Sequence, residues 1–498
     1  MSPDDRPTPL ELLLPSGFSR RSLVLGSACP PALRPPEPQS ASVDEYELVV
    51  VAPTRREADD PAWLADAART AAASLEADGV VYVLAPPHAR RRLRRLLASG
   101  GLRTGEAFLH IPDVTRSRAI VPVRRELLSY ALEQLVPLKK RNRTLLSLLL
   151  RCRAERTLAA LASPVGVAIR RAESRSLFDW LFTGAATGTA VLLRSPRGLA
   201  GGVALQLFSP SSKTPSAVAK LPVEGRSPEQ LASHLDTHAA SAATAGAAIP
   251  RAVATSLGSR PVLLETPVSG ANAALLLART PRRLPEILAA LVQWLDAWQA
   301  ITAREGALDR DRLEQWILAP AARLEPRIHG GGTYRRRLEH LCEALEGTAL
   351  PHVAVHGDLT MSNVLVADPP APIGIVDWES ATTQGLPLLD LHYAVADAAA
   401  AVRGYTDRAA AARDCFSPGG ALAERVKAAQ ARLAHTLDLT NEVAALCFHA
   451  CWLHHADNEQ RSLPTDGQMP FFEILDWVAG AEELPEELAL PAALERRP

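Results

Sequence analysis

No apolar run in the 498 residues approaches the roughly 20 that a membrane-spanning helix needs. There is no excess of charge of either sign: the formal net charge is -1, so no global field points to nucleic acid or to an anionic membrane. Cysteine is sparse. The six residues, Cys29, Cys152, Cys342, Cys415, Cys447 and Cys451, are scattered in a way that suits buried thiols in a reducing cytosol rather than a disulfide framework. One export-like feature, Ser19-Arg20-Arg21-Ser22-Leu23-Val24-Leu25, is followed by apolar residues only to Ala28 before Pro30 and Pro31 intervene. A secretory core needs about 7–15 apolar residues, so this stretch is too short for one. These absences lead to the expectation of a cytoplasmic protein without a membrane or nucleic-acid partner. What is present, 47% hydrophobic and 22% charged residues, suits soluble cores in two or three domains.

Residues 1–43 are rich in proline and serine and lack sustained periodicity, so they are expected to be extended or disordered. From Tyr46 the pattern becomes α/β: Leu48-Val49-Val50-Val51-Ala52 reads as a buried strand, Pro61 to Glu76 as a helix, and Gly79-Val80-Val81-Tyr82-Val83-Leu84 as a second strand. A helix from His88 to Ser99 carries Arg90, Arg91, Arg92, Arg94 and Arg95, and Gly100-Gly101 closes it before strands near Ala107–Ile111 and Ala119–Val123. The arginines read as a solvated face rather than a phosphate-binding one. This order over 44–125 resembles the second half of a class I methyltransferase, which implies a truncated Rossmann-like module. No Gly-x-Gly turn precedes Tyr46, so methyl transfer is not expected. Residues 126–174 are expected to be a helical connector broken at Pro137.

Chemistry concentrates near residue 355. Val353-Ala354-Val355-His356-Gly357-Asp358 is followed by Asn363-Val364-Leu365-Val366 and by Ile373-Gly374-Ile375-Val376-Asp377-Trp378-Glu379. Each apolar run has the length and branching of a buried strand, with a carboxylate or amide at its end. Moving a phosphoryl group requires a carboxylate that orients the hydroxyl and oxygen ligands for magnesium. Asp358 suits the first task, while Asn363 and Asp377 suit the second.

His-Gly-Asp-x4-Asn followed by Val-Asp-Trp-Glu resembles the aminoglycoside phosphotransferase and choline kinase family, over about residues 175–460. The resemblance implies a protein-kinase-like fold, Asp358 as catalytic base, Asn363 and Asp377 as magnesium ligands, and ATP with magnesium as cofactors. Gly385-Leu386-Pro387-Leu388-Leu389-Asp390-Leu391 matches a further family segment, and Asp390 is expected to brace the catalytic loop. Residues 175–268 then form the smaller lobe, with Lys220 ending its third strand as the phosphate contact. The helix at 228–245 offers Glu229 or Asp236 to hold that lysine, Asp236 lying nearer the expected place. Glu265 and Thr266, at the hinge, offer backbone groups to adenine. The phosphate-covering loop would draw on Gly184, Gly188, Gly198, Gly201 and Gly202, which do not form Gly-x-Gly-x-x-Gly.

Residues 269–480 are expected to be the helical larger lobe, with 481–498 a tail. Cys447, His449, Cys451, His454 and His455 read as core rather than as a metal site, and Asp457 and Glu459 as surface acids first, with attraction of an ammonium-bearing substrate as the alternative. The fold class is thus α+β, a bilobal protein-kinase-like domain preceded by a small α/β module. The expected function is ATP-dependent phosphoryl transfer to a hydroxyl of a small molecule, aminoglycoside, choline or sugar-like. The alternative is a catalytically weak kinase-like nucleotide-binding or regulatory module, suggested by the absence of a clear anchoring glutamate.

Overall fold

The computed structural model describes residues 21–29, 45–111, 119–134, 165–171, 189–194, 203–209, 212–221, 227–257, 260–367, 372–462 and 469–480. The chain divides into two compact units, Met1–Ala232 with Ala252–Pro267, and Ser233–Arg251 with Val268–Pro498. Strands dominate the first and helices the second, an α+β arrangement.

The first unit is built on a sheet that has eleven strands among the described residues. Its first three strands, β1 (Ser22–Leu25), β2 (Tyr46–Val51) and β3 (Leu75–Val83), run parallel. Parallel neighbours need a crossover, and between β2 and β3 it is made by α1 (Arg55–Asp59) and α2 (Pro61–Ala73). Thr54 and Glu57 form a reciprocal capping box on α1. Asp60 caps α2, accepting from the Ala62 and Trp63 backbone N–H groups, with Pro61 in the first turn where its missing donor does no harm. After β3 comes α3 (Pro87–Ser99), which buries Ala89, Leu93 and Leu97 at steps of four and leaves Arg91, Arg92, Arg94 and Arg95 exposed. Arg90 departs from that solvated face. It is buried and donates through Nη1 to the Val165 carbonyl at 2.7 Å.

Then follow β4 (Leu102–Ile111), β5 (Ala119–Pro122), α4 (Arg125–Gln134) and β6 (Val165–Arg171). β6 inserts between β3 and β4, antiparallel to both. A strand at this point corrects the expected helical connector, and β1 is an extended segment within residues 1–43, which were expected to be extended or disordered. Both runs are short, largely apolar and flanked by glycine or proline, so the signal was present without periodicity to announce it. The continuation is antiparallel: β7 (Thr189–Arg194), β8 (Val203–Phe208), β9 (Ala217–Leu221), β11 (Ala252–Leu257) and β12 (Arg260–Glu265) extend the sheet in the order β5-β7-β8-β9-β12-β11.

The N-terminal α/β elements and the strands around Lys220 therefore share one sheet, joined where Ala119 and Ile120 pair with Leu193 and Leu192. Pairing these strands removes two exposed edges at once. The core is shared as well. Alternate residues of β2 and β3 enter opposite faces, and the face lined by Leu48, Val50, Val80 and Tyr82 continues into Leu205, Leu207, Ala219 and Val262. On the other face Tyr130 of α4 packs edge-on against Phe208, ring centroids 5.0 Å apart.

The second unit contains a small sheet, β10-β16-β15-β13, made of β10 (Ala247–Ala248), β13 (Ala271–Asn272), β15 (Val364–Val366) and β16 (Ile373–Ile375). Beside it β14 (Val353–Val355) pairs with β17 (Thr382–Gly385). The helices of this unit include α5 (Pro228–Thr244, from Ser233 onward), α6 (Ala273–Arg279), α7 (Leu284–Thr302), α8 (Gly331–Leu345), α9 (Leu389–Val402), α10 (Arg408–Phe416), α11 (Ala423–Leu437), α12 (Asn441–Ser462) and α13 (Pro470–Gly480). Residues Leu389 to Ala401 of α9 are all buried, so this helix is the axis of the unit. No described helix is long and apolar enough to cross a membrane.

Candidate active site

The catalytic stretch leaves β14 at His356 and turns at once. Gly357 has φ +77°, and a Cβ there would lie 2.6 Å from the Ser380 carbonyl oxygen, so backbone conformation and space both require glycine. Two carboxylates from α9 hold the loop. Asp390 accepts from the backbone N–H of His356 at 2.6 Å and of Gly357 at 2.9 Å. Seven residues on, and so two turns along the same helix face, Asp397 accepts from the Met361 N–H at 2.7 Å. α9 thus grips the loop at its start and near its end. Asp397 also accepts from the Tyr405 hydroxyl at 3.0 Å and pairs with Arg408 at 2.7 Å. Burial raises the Asp390 carboxyl to about 6, with the two backbone donors opposing the rise.

Asp390 is where the sequence resemblance placed it. Asp397, Tyr405 and Arg408 were missed, although an aspartate in the alanine-rich stretch 391–402 was a signal, since a buried carboxylate requires partners.

Between those grips the loop orders itself. Asn363 donates from Nδ2 to the Asp358 carbonyl at 2.8 Å, and its own N–H donates to the Thr360 carbonyl at 2.9 Å. With its NH2 group engaged, the Asn363 side chain presents its oxygen as the remaining polar atom. Asn363 directly precedes β15 and Asp377 lies just past β16. In this antiparallel pair Val364 faces Ile375, and the Val376 N–H reaches the Asn363 carbonyl at 3.0 Å. Register therefore puts Asn363 and Asp377 at the same end of one hairpin, with Asp358 tied to Asn363. Asp358 and Asp377 are half-buried, while Asn363 is buried. Asp377 adopts φ 69°, a left-handed conformation uncommon outside glycine and concentrated at functional sites.

His356 supports this geometry. One ring nitrogen lies 3.0 Å from the Val376 carbonyl and the other accepts from the Asp358 N–H at 3.4 Å. Its ring packs on Trp378 at 5.0 Å, and Trp378 lies edge-on to Trp298, which stacks on Trp294 at 4.9 Å. His238 stacks on the opposite part of this cluster, and burial lowers it to about 4, aided by His234 and His356, so it packs as a neutral ring.

In the first unit Lys220 and Glu265 form an ion pair of 3.1 Å with both side chains nearly buried. The acid seen against the lysine is thus a strand residue. Asp236, expected to serve there, is exposed on α5. Thr266 is exposed immediately after β12. The glycines considered for a phosphate-covering loop, Gly184, Gly188, Gly198, Gly201 and Gly202, lie outside the described residues.

Two expectations about the helical unit are settled by partners. Tyr334 OH meets His449 Nδ1 at 3.0 Å, and His455 stacks on Tyr393 at 3.5 Å, so these histidines belong to the core. Cys342, Cys415, Cys447 and Cys451 are buried free thiols, and among the described residues no group of three or more His, Cys, Asp or Glu side chains is placed to hold a metal. Asp457 and Glu459 are not surface acids. Asp457 is buried against Arg323 and Arg461, and Glu459, pushed up by burial to about 7, accepts from the Phe471 N–H at 3.0 Å.

A braced His-Gly-Asp loop closed by an amide, with a second acid at the end of the following hairpin, is the arrangement that the sequence resemblance led one to expect. The family comparison agrees: residues 207–428 match the model of the phosphotransferase enzyme family, a span that holds Lys220, Asp358, Asn363 and Asp377. The resemblance read from the sequence is borne out over those residues, and with it the expectation of a phosphotransferase enzyme. Among solved structures, similarity is found to a choline/ethanolamine kinase family protein from Mesorhizobium loti (16% identity, 59% of this chain and 89% of that one, TM-score 0.34). It is also found to an aminoglycoside phosphotransferase from Streptomyces rimosus in complex with ADP and streptomycin (14%, 51% and 90%, TM-score 0.31). A type I macrolide 2'-phosphotransferase is similar at 13% identity, covering 61% of this chain and 97% of that one, TM-score 0.36. No curated protein matches the chain.

Proposed function

We propose that this protein transfers the γ-phosphate of ATP, with magnesium, to a hydroxyl of a small molecule of the aminoglycoside, choline or sugar-like kind. The observation that carries the reading is the braced constellation of Asp358, Asn363 and Asp377 at one end of the β15–β16 hairpin. Asp358 orients the acceptor hydroxyl and takes its proton as the new O–P bond forms and the bond from the γ-phosphorus to the bridging oxygen breaks, with ADP leaving. Its half-buried side chain suits a group that must reach a substrate, while its backbone is held by the loop. Carboxylate and amide oxygens are the donors magnesium prefers, and the engaged NH2 of Asn363 leaves its oxygen for that use, so the residues fit the ion. Asn363 and Asp377 would hold it, and it would neutralise charge on the phosphates. Having only one acid and one amide on the ion leaves coordination places for phosphate oxygens and water. Lys220 holds the α- and β-phosphates, and backbone groups at Glu265 and Thr266 receive adenine.

The compartment follows from the substrate: ATP is cytosolic, which supports a cytoplasmic protein. The test is a screen of candidate hydroxyl acceptors for acceptor-dependent ATP consumption. An acceptor that loses its effect on Asp358→Ala supports the reading. Turnover that survives this substitution removes it.

A further inference from the structure

Lys220 and Glu265 sit on neighbouring strands of one sheet. β9 and β12 are antiparallel, with Lys220 opposite Leu263 and Val218 opposite Glu265. Lys220 and Glu265 are therefore diagonal neighbours on the same sheet face, at a separation that two long side chains span. They meet at 3.1 Å, with side-chain exposures of 13% and 8%. A pair so withdrawn from water is held more firmly than a surface pair, because attraction is less screened and each charge needs the other. By contrast α5 offers Glu229 and Asp236, both exposed.

We infer that Glu265, on the sheet itself, is the residue that positions Lys220 for the nucleotide phosphates, in place of an acid on α5. The inference rests on the reading of Lys220 as a phosphate contact. A strand acid of this kind differs physically from a helix acid. Its distance from the lysine is set by cross-strand register, so the lysine stays positioned without the docking of another element. The absence of a well-placed helix glutamate then ceases to argue for a weak enzyme.

The test uses the full chain and two probes, MgATP and adenosine, with binding measured by calorimetry and folding checked by thermal melting. Lys220→Met addresses the underlying reading: MgATP affinity should fall about tenfold or more, with adenosine affinity retained. Glu265→Gln, nearly isosteric, should reproduce that pattern, and the double variant should bind no worse than either single one. Glu229→Gln and Asp236→Asn should stay within about twofold of the parent. If Lys220→Met binds MgATP normally, the phosphate role of Lys220 fails and the inference with it. If Lys220→Met fails to bind MgATP but Glu265→Gln binds it normally, or if Asp236→Asn is the damaging change, only the inference is overturned. Equal loss of MgATP and adenosine in Glu265→Gln would show a merely structural role and would also overturn it.

Discussion

Lys220 is positioned by a carboxylate across one strand pair, whereas the loop from His356 to Asn363 is held by backbone donors running to two carboxylates on one buried helix. The difference is between holding a side chain and holding a backbone. An ammonium on a four-carbon stem can follow a moving anion, so a single partner serves it. A base that must meet a hydroxyl in one geometry needs its main chain fixed, which takes several bonds from a rigid element. The loop should consequently separate activity from stability: its outward side chains carry chemistry alone, and its braces carry both.

The largest effect should come from Asp358→Ala, with phosphoryl transfer down about a thousandfold, within the usual range for a general base. Its melting temperature should stay close to that of the parent, since the Asp358 side chain is half-buried and the loop is held through main-chain donors. A large drop in melting temperature would erase the proposed distinction.

Arg408→Leu should act in the opposite sense, through stability first. It strips the buried Asp397 of its cation, and a broken buried pair costs about 3–5 kcal/mol by urea unfolding. Combining it with Asp397→Asn should cost less than the sum of the two, because each removes the same pair. Asp390→Ala leaves two buried N–H groups without acceptors, for a loss of about 3 kcal/mol together with most of the activity.

Glu459→Gln tests the helical unit through pH. The Glu459 carboxyl stands at about 7 when folded against an ordinary 4.5, so the folded state binds the extra proton. The stability this gives is complete below the unfolded value and is lost as pH rises through the folded one. The variant lacks that slope. It should be more stable than the parent by about 2 kcal/mol above about pH 8, with the advantage vanishing below about pH 4.5. Unfolding curves that stay parallel across this range would refute the burial argument.

A small stability effect is also expected at Asp377→Gly. Glycine accepts φ 69° without strain but gains freedom when unfolded, so stability should change by less than about 1 kcal/mol. Activity should still fall about a hundredfold, which would mark Asp377 as chemical rather than structural.

The arrangement of this loop was readable because its parts are close in sequence. His356, Gly357, Asp358, Asn363 and Asp377 lie within 22 residues, and the short strands between them are set by alternation and turn length. Asp390 was readable for the same reason, as part of a compact segment. Residue types alone also favoured core packing over a metal site on α12, because ligands strung along one helix without a second pair are poorly placed to close a coordination sphere.

Three things belonged to the tertiary structure alone. The joining of β5 to β7, which makes one sheet of two apparent modules, depends on pairing Ala119 with Leu193 and Ile120 with Leu192, far apart in sequence, and pairing partners leave no local trace. The partnership of Lys220 with Glu265 depends on register, since a slip of one residue would turn one of them to the other face. The grip of Asp397 on Met361, and its neutralisation by Arg408, depend on how α9 and α10 pack. Sequence names the groups able to carry charge, but which charges meet is settled by burial and backbone geometry acting at long range.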